Sequence, residues 1–544
     1  MIRNFCRVLL TLCCSLIFHC GSATPPVELS VGRNGVAELS LYYSAPLDNP
    51  FTDIAATATF SHPGSGGLVR VDGFFDGDST WRFRFSPDTE GIWTADLGLK
   101  HGSEKVAFKR VGIKCEGQDP LRSKGFLRLN PDNPYRLAFD DGGAFYAVGI
   151  QPCGAAGAGL DGPVRGEGRW RTLPMDQYLD EMQGAANLFR IQLGTGTRKG
   201  CAREIMTDEL GFYRYELDAC RLLDETYRLL DERDFSTILI PFQDMSLWGA
   251  DTTVFGPNKT MQGWKDRSNR ELMDAIKHYV RYIVARYAVY TDIWELFNED
   301  VYTPDEWLEE VAAFVGELDP YDHLMTTSYE RPYADWCDLV TPHLYVRIPA
   351  NETSLILGRQ YARHKSWGKP VLFTEFGNKG TLTNRDPDKW RLAVWISFMH
   401  ESAVTFWSMG GIVTIPHKQS GNANTYLGQE ARSYFRNFHA FTRDLPADLR
   451  PAMSGPDQGD GVERYALSNG TTSVLYFHHY DNYDTVTSCG TYFWCWPGTF
   501  KVRWYDPSSG EWIHTETVKS FGNVIRIDSR EFTKDLAALI TRID

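Results

Sequence analysis

The sequence predicts a multidomain protein in which a central (β/α)8 TIM barrel is flanked by an N-terminal and a C-terminal β-sandwich. Three observations carry that expectation. Short alternating stretches separated by turns run from Val27 to about Lys114, strands interleaved with amphipathic helices begin after Gly125, and strands alone return from Pro451 to the end. At 544 residues the chain is also longer than one hydrophobic core usually organises. The expected division is a leader over 1–23, a sandwich over 24–118, the barrel over 119–445 and a second sandwich over 446–544.

In chain order, Arg3 and Arg7 precede an apolar run from Val8 to Phe18 and a small-residue site, Gly21-Ser22-Ala23, which reads as a cleaved signal peptide. The run is short of the roughly 20 residues that cross a bilayer. A bacterial protein, secreted or periplasmic and without a membrane span, is expected. The stretches VAELSLYYSA, LVRVDGFFDG, WRFRFSP and GIWTADLGLK carry the period of two of a sandwich. Barrel strands are expected at FYAVGI, NLFRIQL, STILIPF, DIWELF, HLMTTS, LVTPHLY, PVLFTEF and AVTFWSM. Between several of them lie helical runs such as YELDACRLLDETYRLLDERD and RELMDAIKHYVRYIVARYA, apolar every three or four positions. Eight strands with interleaved helices are what a (β/α)8 barrel requires. A doubly wound sheet would use fewer strands, and no glycine-rich fingerprint follows the first. VERYALS, TSVLYFHHY, FKVRWYD, EWIHTET and NVIRIDS supply the last sandwich.

Composition removes several functions. The net charge is -14 with no basic block, whereas a nucleic-acid partner demands a Lys/Arg footprint. Neither HExxH nor a glycine-rich phosphate cradle is present, so no metal and no cofactor are expected. Cys489 and Cys495, six apart in an aromatic segment of a chain read as exported, are the expected disulfide. The same segment, His478 to Tyr483 with Tyr492, Phe493, Trp494 and Trp496, is expected to dock the last domain on the barrel. The alternative is that Trp494 or Trp496 reaches the cleft and stacks on a sugar.

In a (β/α)8 barrel the C-terminal strand ends converge on one face, so side chains far apart in sequence meet there. The second strand brings Arg190; the third is followed by Gln243, Asp244 and Trp248; the fourth ends in Trp294, Asn298 and Glu299. The sixth brings His343 and Tyr345, the seventh Glu375 and the eighth Trp407. Each buried polar group costs free energy unless satisfied, so their accumulation describes a site. Two carboxylates across such a mouth suit glycosidic cleavage, one giving a proton to the leaving oxygen while the other attacks the anomeric carbon. The acid then needs a raised pKa and the nucleophile needs hydrogen-bond donors. Asp244 and Glu295 are the spare carboxylates.

The Asn-Glu pair ending a fourth strand, the Glu of TEFG, the His-x-Tyr of a sixth strand and the Trp of an eighth resemble the large (β/α)8 clan of retaining glycoside hydrolases that includes family 5. GFFDGD, WRFRFSPDTEGIW and KGFLRLNP resemble bacterial enzymes with a DUF5060-like, Ig-like leader domain before a DUF4038 or apiosidase-like barrel. The resemblance implies Glu299 as acid/base, Glu375 as nucleophile, Asn298 on the sugar 2-hydroxyl, Tyr345 beside the nucleophile, Arg190 supporting that network and Trp407 as the subsite floor. It implies a polysaccharide or oligosaccharide substrate. The competing expectation is a non-catalytic carbohydrate-binding protein on a degenerate barrel, but that would show as loss of a carboxylate, and both are present.

Overall fold

The computed structural model describes residues 25–64, 67–152, 161–166, 169–195, 204–207, 209–242, 268, 270–299, 303–328, 331–346, 349–378, 386–407, 413–414, 421–422, 427–452 and 459–544. The expected leader and Gln243, Asp244 and Trp248 lie outside these residues.

The first sandwich packs a five-stranded sheet, in the order Val27–Arg33, Glu104–Gln118, Gly91–His101, Ile54–Ser61 and Leu68–Asp72, on a three-stranded one built from Ala37–Tyr42, Thr80–Phe85 and Phe74–Phe75. Ile54–Ser61 alternates buried and open positions, so one face delivers Ile54, Ala56, Ala58 and Phe60 to a core with Trp81, Phe83 and Trp93. An ionic seam joins this domain to the barrel. Arg84, 5% exposed, donates to Asp224 Oδ1 at 2.9 Å and to the Arg286 carbonyl at 2.7 Å.

The barrel strands are β1 (Val148–Ile150), β2 (Leu188–Gln192), β3 (Ser236–Ile240), β4 (Ile293–Glu295), β5 (Leu324–Thr326), β6 (His343–Val346), β7 (Leu372–Asn378) and β8 (Ala403–Phe406). All neighbours pair in parallel, with β1 between β2 and β8. The seam from β5 to β6 is bridged by Asp338 N–H to the Met325 carbonyl at 2.7 Å and by the Thr326 and Thr341 hydroxyls at 2.8 Å. Around it lie α1 (Met175–Met182), α2 (Leu217–Asp231), α3 (Arg270–Tyr287), α4 (Asp305–Leu318), α5 (Thr353–Lys365), α6 (Pro387–Met399) and α7 (Gln429–Thr442). The amphipathic pattern explains α2: Ala219, Cys220, Leu223, Tyr227 and Leu230 fall on one buried stripe. Asp386 starts α6 by accepting from the Asp388 N–H, with Pro387 at the first helical position. Between β5 and β6 the described residues carry turns and no helix.

Inside the barrel the bottom layer is apolar. Leu188, Ile238, Ile293, Leu324 and Leu372 meet Leu127, Leu137 and Phe145, which come from a three-stranded sheet over Leu127–Leu129, Leu137–Phe139 and Ala144–Phe145 that plugs the floor. One step up, the inward positions of β2, β4, β5, β7 and β8 turn polar: Arg190, Glu295, Thr326, Thr374 and Thr405, all fully buried. That change of layer places the site at the strands' C-terminal ends.

The second sandwich sets a six-stranded sheet, including Val462–Ser468, Thr472–His479, Asp535–Arg542 and Gly498–Asp506, against the pair Gly490–Trp494 and Val524–Asp528. One face of the large sheet docks on the barrel: Tyr476 stacks on Trp395 of α6 with centroids 5.1 Å apart, and Arg391 of α6 holds Asp535 at 2.7 Å. Its other face, with Phe477, Val502 and Trp504, packs on Phe493, Ile525 and Ile527.

Two expectations are corrected here. Cys489 and Cys495 are free thiols, both buried. They stand at opposite ends of the extended strand Gly490–Trp494, which separates their Cα atoms by about 20 Å, whereas a disulfide needs about 4.4–6.8 Å. The aromatic segment also divides in two. His478 reaches Ser354 of α5 at 3.0 Å and so helps to dock the domain, but Tyr492 and Trp494 lie on the outermost layer, facing away from the barrel.

Candidate active site

Four strands build the centre. On β2 the residues Leu188, Arg190 and Gln192 point inward while Phe189 and Ile191 join the helix-facing core, so the alternation of LFRIQ alone carries Arg190 into the barrel. On β4 the same alternation sends Ile293 and Glu295 inward and Trp294 outward, where its Nε1–H donates to Asp319 Oδ2 at 3.0 Å. Trp294 is therefore a packing residue and no part of the centre. Four residues on, Glu299 takes a left-handed backbone, φ 54°, which is costly for a residue with a Cβ and turns its carboxylate back over the barrel mouth. β7 uses a bulge. Its register against β8 shifts between Phe373 and Phe376, and both phenylalanines face the helices, so Thr374 and Glu375 both turn inward. Without that extra residue Glu375 would face α6.

Arg190, with no exposed surface, organises the centre through five hydrogen bonds. Its Nε and Nη2 clamp Glu295 at 2.7 and 2.5 Å, Nη2 reaches Asn298 Oδ1 at 2.7 Å, and Nη1 reaches Glu375 Oε1 at 2.7 Å and Gln151 Oε1. Burial alone would lower the Arg190 pKa, but the charges of Glu295 and Glu375 outweigh it and raise it. The other Glu375 oxygen accepts from the Tyr345 hydroxyl. Burial, with the Glu375 and Glu299 charges behind it, pushes that phenol well above its ordinary value, so it stays a donor.

His343 pairs across the sheet with Glu375 and links the two outer carboxylates. Its Nδ1 lies 2.8 Å from Glu299 Oε1 and 3.5 Å from Glu375 Oε2, while Nε2 lies 3.2 Å from Ser328 Oγ. The Ser328 hydroxyl donates to Glu295 Oε1, so Ser328 accepts from His343 Nε2–H, and Nδ1 shares a proton with Glu299. Burial lowers the His343 pKa, but the attraction of Glu375 and the bond to Glu299 raise it above the ordinary histidine value. Glu299 responds in the opposite sense. Burial pushes its carboxyl up, and the His343 bond and charge, with Arg190 further off, outweigh burial and hold it below the usual carboxylate range.

A ligand atom from each of Glu299, His343 and Glu375 lies within 4.8 Å of the other two, which is a possible cation nest. The cation already present opposes that use, because a divalent ion there would face the Arg190 guanidinium, 2.7 Å from Glu375 Oε1. What the arrangement can do is hold two carboxylates on opposite sides of a small gap, one fixed by two donors and one sharing a proton with an imidazole.

Of the residues expected from sequence, Arg190, Asn298, Glu299, His343, Tyr345 and Glu375 meet in one network. Trp407 follows β8, with its N–H on the Phe376 carbonyl at 2.9 Å and its side chain partly open. Gln151, Gln192 and Ser328 were not singled out by sequence. Gln151 and Gln192 meet at 3.1 Å just past β1 and at the end of β2, so a search for polar residues at every strand end would have found them. The same search would have found Ser328, the last residue of HLMTTS, two residues past β5.

Residues 30–97 match the model of a family described as a domain of unknown function, DUF5060. No curated protein matches the chain. Among solved structures, a candidate glycoside hydrolase from Bacteroides vulgatus ATCC 8482 is similar with a TM-score of 0.65 at 16% identity, over 95% of this chain and 100% of that one. A glycoside hydrolase family 5 protein from the same organism is similar with a TM-score of 0.51 at 14% identity, over 77% and 93%. At these identities the likeness is one of fold: this chain carries a DUF5060 domain and a fold resembling that of glycoside hydrolases.

Proposed function

We propose that the protein is a retaining glycoside hydrolase acting on a polysaccharide or oligosaccharide by double displacement, exported by a bacterium, with Glu375 as nucleophile and Glu299 as acid/base. The observation that carries the reading is the gap between the two carboxylates. Oxygen atoms of Glu299 and Glu375 lie within 4.8 Å, close to the separation of about 5 Å that lets one carboxylate attack directly, with no room for an intervening water.

Glu375 is paired and aimed by Arg190 and Tyr345, and the Tyr345 hydroxyl is placed to leave the carboxylate as the glycosyl bond forms. Asn298, bonded through Oδ1 to Arg190, keeps its amide N–H groups for a sugar hydroxyl. Trp407 supplies an apolar face beside the nucleophile. The proton for the leaving oxygen belongs to the Glu299–His343 pair, whose shifts, Glu299 lowered and His343 raised, draw it toward His343 in the free protein. A glycosidic oxygen entering the gap takes water from Glu299, and that desolvation favours the protonated acid.

Replacement of Glu375 by Ala removes turnover by several orders of magnitude and leaves the fold intact, because it deletes the covalent route. Azide then restores turnover and yields a glycosyl azide of configuration opposite to the substrate. A wild-type first product of inverted configuration, read by proton NMR, refutes the retaining course.

A further inference from the structure

The proposed chemistry leaves unused one aromatic surface. The strand Gly490–Trp494 and its partner Val524–Asp528 form the outermost layer of the C-terminal domain, with Phe493, Ile525 and Ile527 turned into the core. The sheet beneath meets the barrel with its opposite face, through Tyr476 and Tyr505. The outer face of the pair therefore points away from the cleft. It carries Tyr492 and Trp494, and Trp496 follows two residues beyond. Tyr492 is 42% exposed, Trp496 46% and Val524, opposite Trp494, 44%. Alternate residues of a strand stand about 7 Å apart, so Tyr492 stands one such step from Trp494, against which Trp496 packs.

The backbone beneath is shaped to these rings. Gly470, at φ 93°, lies so close to Trp496 that a Cβ there would sit 2.2 Å from the indole ring and 3.0 Å from that of Trp494. The two indoles meet edge to face at 4.8 Å, which fixes their orientation. Gly490 has no side chain where one would stand 2.7 Å from Arg526 Nε and 2.8 Å from Asp528 Oδ1, and so these two lie flat against the sheet. A contiguous exposed apolar patch is unfavourable in water until a ligand covers it.

The charges beside the rings choose the occupant. Arg526 pairs with Asp528 at 2.8 Å and its guanidinium lies 5.8 Å from the Tyr492 ring centre, so the neighbouring cation is already neutralised. An anionic polymer finds no free counter-charge there. A second copy of this chain would bring another net charge of -14 to the contact. A neutral polysaccharide suits the face: the C–H surfaces of pyranose rings cover the aromatic side chains, and the ion pair offers both donors and acceptors to hydroxyls. We infer that this outer face binds a neutral polysaccharide chain and holds the enzyme on its polymer at a distance from the cleft. The identity of the polymer as substrate rests on the reading of the barrel as a glycoside hydrolase.

Affinity electrophoresis of the full chain through gels containing soluble neutral mannans, glucans, xylans or galactans tests it. At least one polymer retards the wild type. Tyr492→Ala and Trp494→Ala each weaken retardation about 5- to 10-fold, the worth of one aromatic contact, and Trp494→Ala with Trp496→Ala abolishes it. Hydrolysis of short aryl glycosides is unchanged. Because Trp496 packs on Gly470, the melting temperature is read beside each variant, and Tyr492→Ala, on the open face, serves as the variant with least structural risk. Retardation on no polymer, equal retardation of wild type and Tyr492→Ala, or a wild-type self-association in sedimentation that Tyr492→Ala removes, would each overturn the proposal. Failure of the barrel reading looks different: Glu375→Gln is retarded like wild type and hydrolyses glycosides no more slowly.

Discussion

Arg190 gives the sharpest test of how the centre is held. Its guanidinium is wholly buried and donates to Glu295 twice and to Glu375, Asn298 and Gln151 once each. Arg190→Met removes those donors and leaves Glu295, also wholly buried, without its counter-charge. Breaking a buried pair from one side costs about 3–5 kcal/mol. At about 2.1 cal/mol/K of unfolding entropy per residue, a barrel of roughly 300 residues loses about 5–8 °C in Tm for that amount. Replacing both partners, Arg190→Met with Glu295→Leu, removes the stranded charge as well and recovers much of the loss. It does not recover activity, because Glu375 still lacks the donor that holds Oε1. Calorimetry of the barrel transition in the four proteins of the cycle, beside kcat/KM on an aryl glycoside, separates the two roles. A single variant within 1 °C of wild type, or a double variant no more stable than the single, would falsify the account of Arg190 as the charge that permits buried Glu295. A double variant with wild-type kcat/KM would remove Arg190 from the support of Glu375, the proposed nucleophile.

Other consequences follow from the same geometry. His343 has its pKa raised above the ordinary value of 6.5, so its charge stabilises the folded state fully below that pH and the contribution is lost as pH rises through the raised value. The alkaline limb of kcat/KM accordingly lies above pH 6.5, and His343→Gln displaces it; an unmoved limb excludes the shared proton. Gly149 of β1 packs on Thr405, and a Cβ there would stand 2.3 Å from Thr405 Oγ1. Gly149→Ala therefore costs about 1–3 kcal/mol by overpacking, measured in urea, and a neutral result refutes that tight approach of β1 to β8. Cys489 and Cys495 react as two free thiols after denaturation without reductant, and reductant leaves the melting temperature unchanged; a peptide map that finds them joined contradicts the extended strand between them.

The fold was legible because its signals are local and periodic. The run Tyr215–Asp234 turned its apolar residues to one side as α2, and each of the eight stretches expected as strands overlaps one of β1–β8. The short α1 and the α7 run were not singled out, and neither was the floor sheet. Leu127–Leu129 and Leu137–Phe139 are three-residue strands whose purpose, closing the barrel under Leu188 and Ile238, exists only in three dimensions. The disulfide expectation failed for a related reason: six residues of sequence separation bring two cysteines together across a turn and hold them about 20 Å apart along a strand, and GTYFW is a strand.

At the site, sequence found the groups that touch one another and misjudged the state of one of them. An acid for glycosidic cleavage was expected to carry a raised pKa, yet Glu299 stands lowered, because the bond and charge of His343, whose Nδ1 is 2.8 Å away, outweigh burial. His343 Nε2 faces Ser328 because the Ser328 hydroxyl is turned to Glu295, and Glu295 is held in place by the Arg190 clamp. No motif around Glu299 contains this chain of donors. It runs through β2, β4, the loop after β5 and β6, four segments that meet only in the closed barrel. The proton that the proposed chemistry needs is therefore shared between the acid and a neighbouring imidazole. Bringing it onto Glu299 is work that a bound sugar performs when it strips water from the gap.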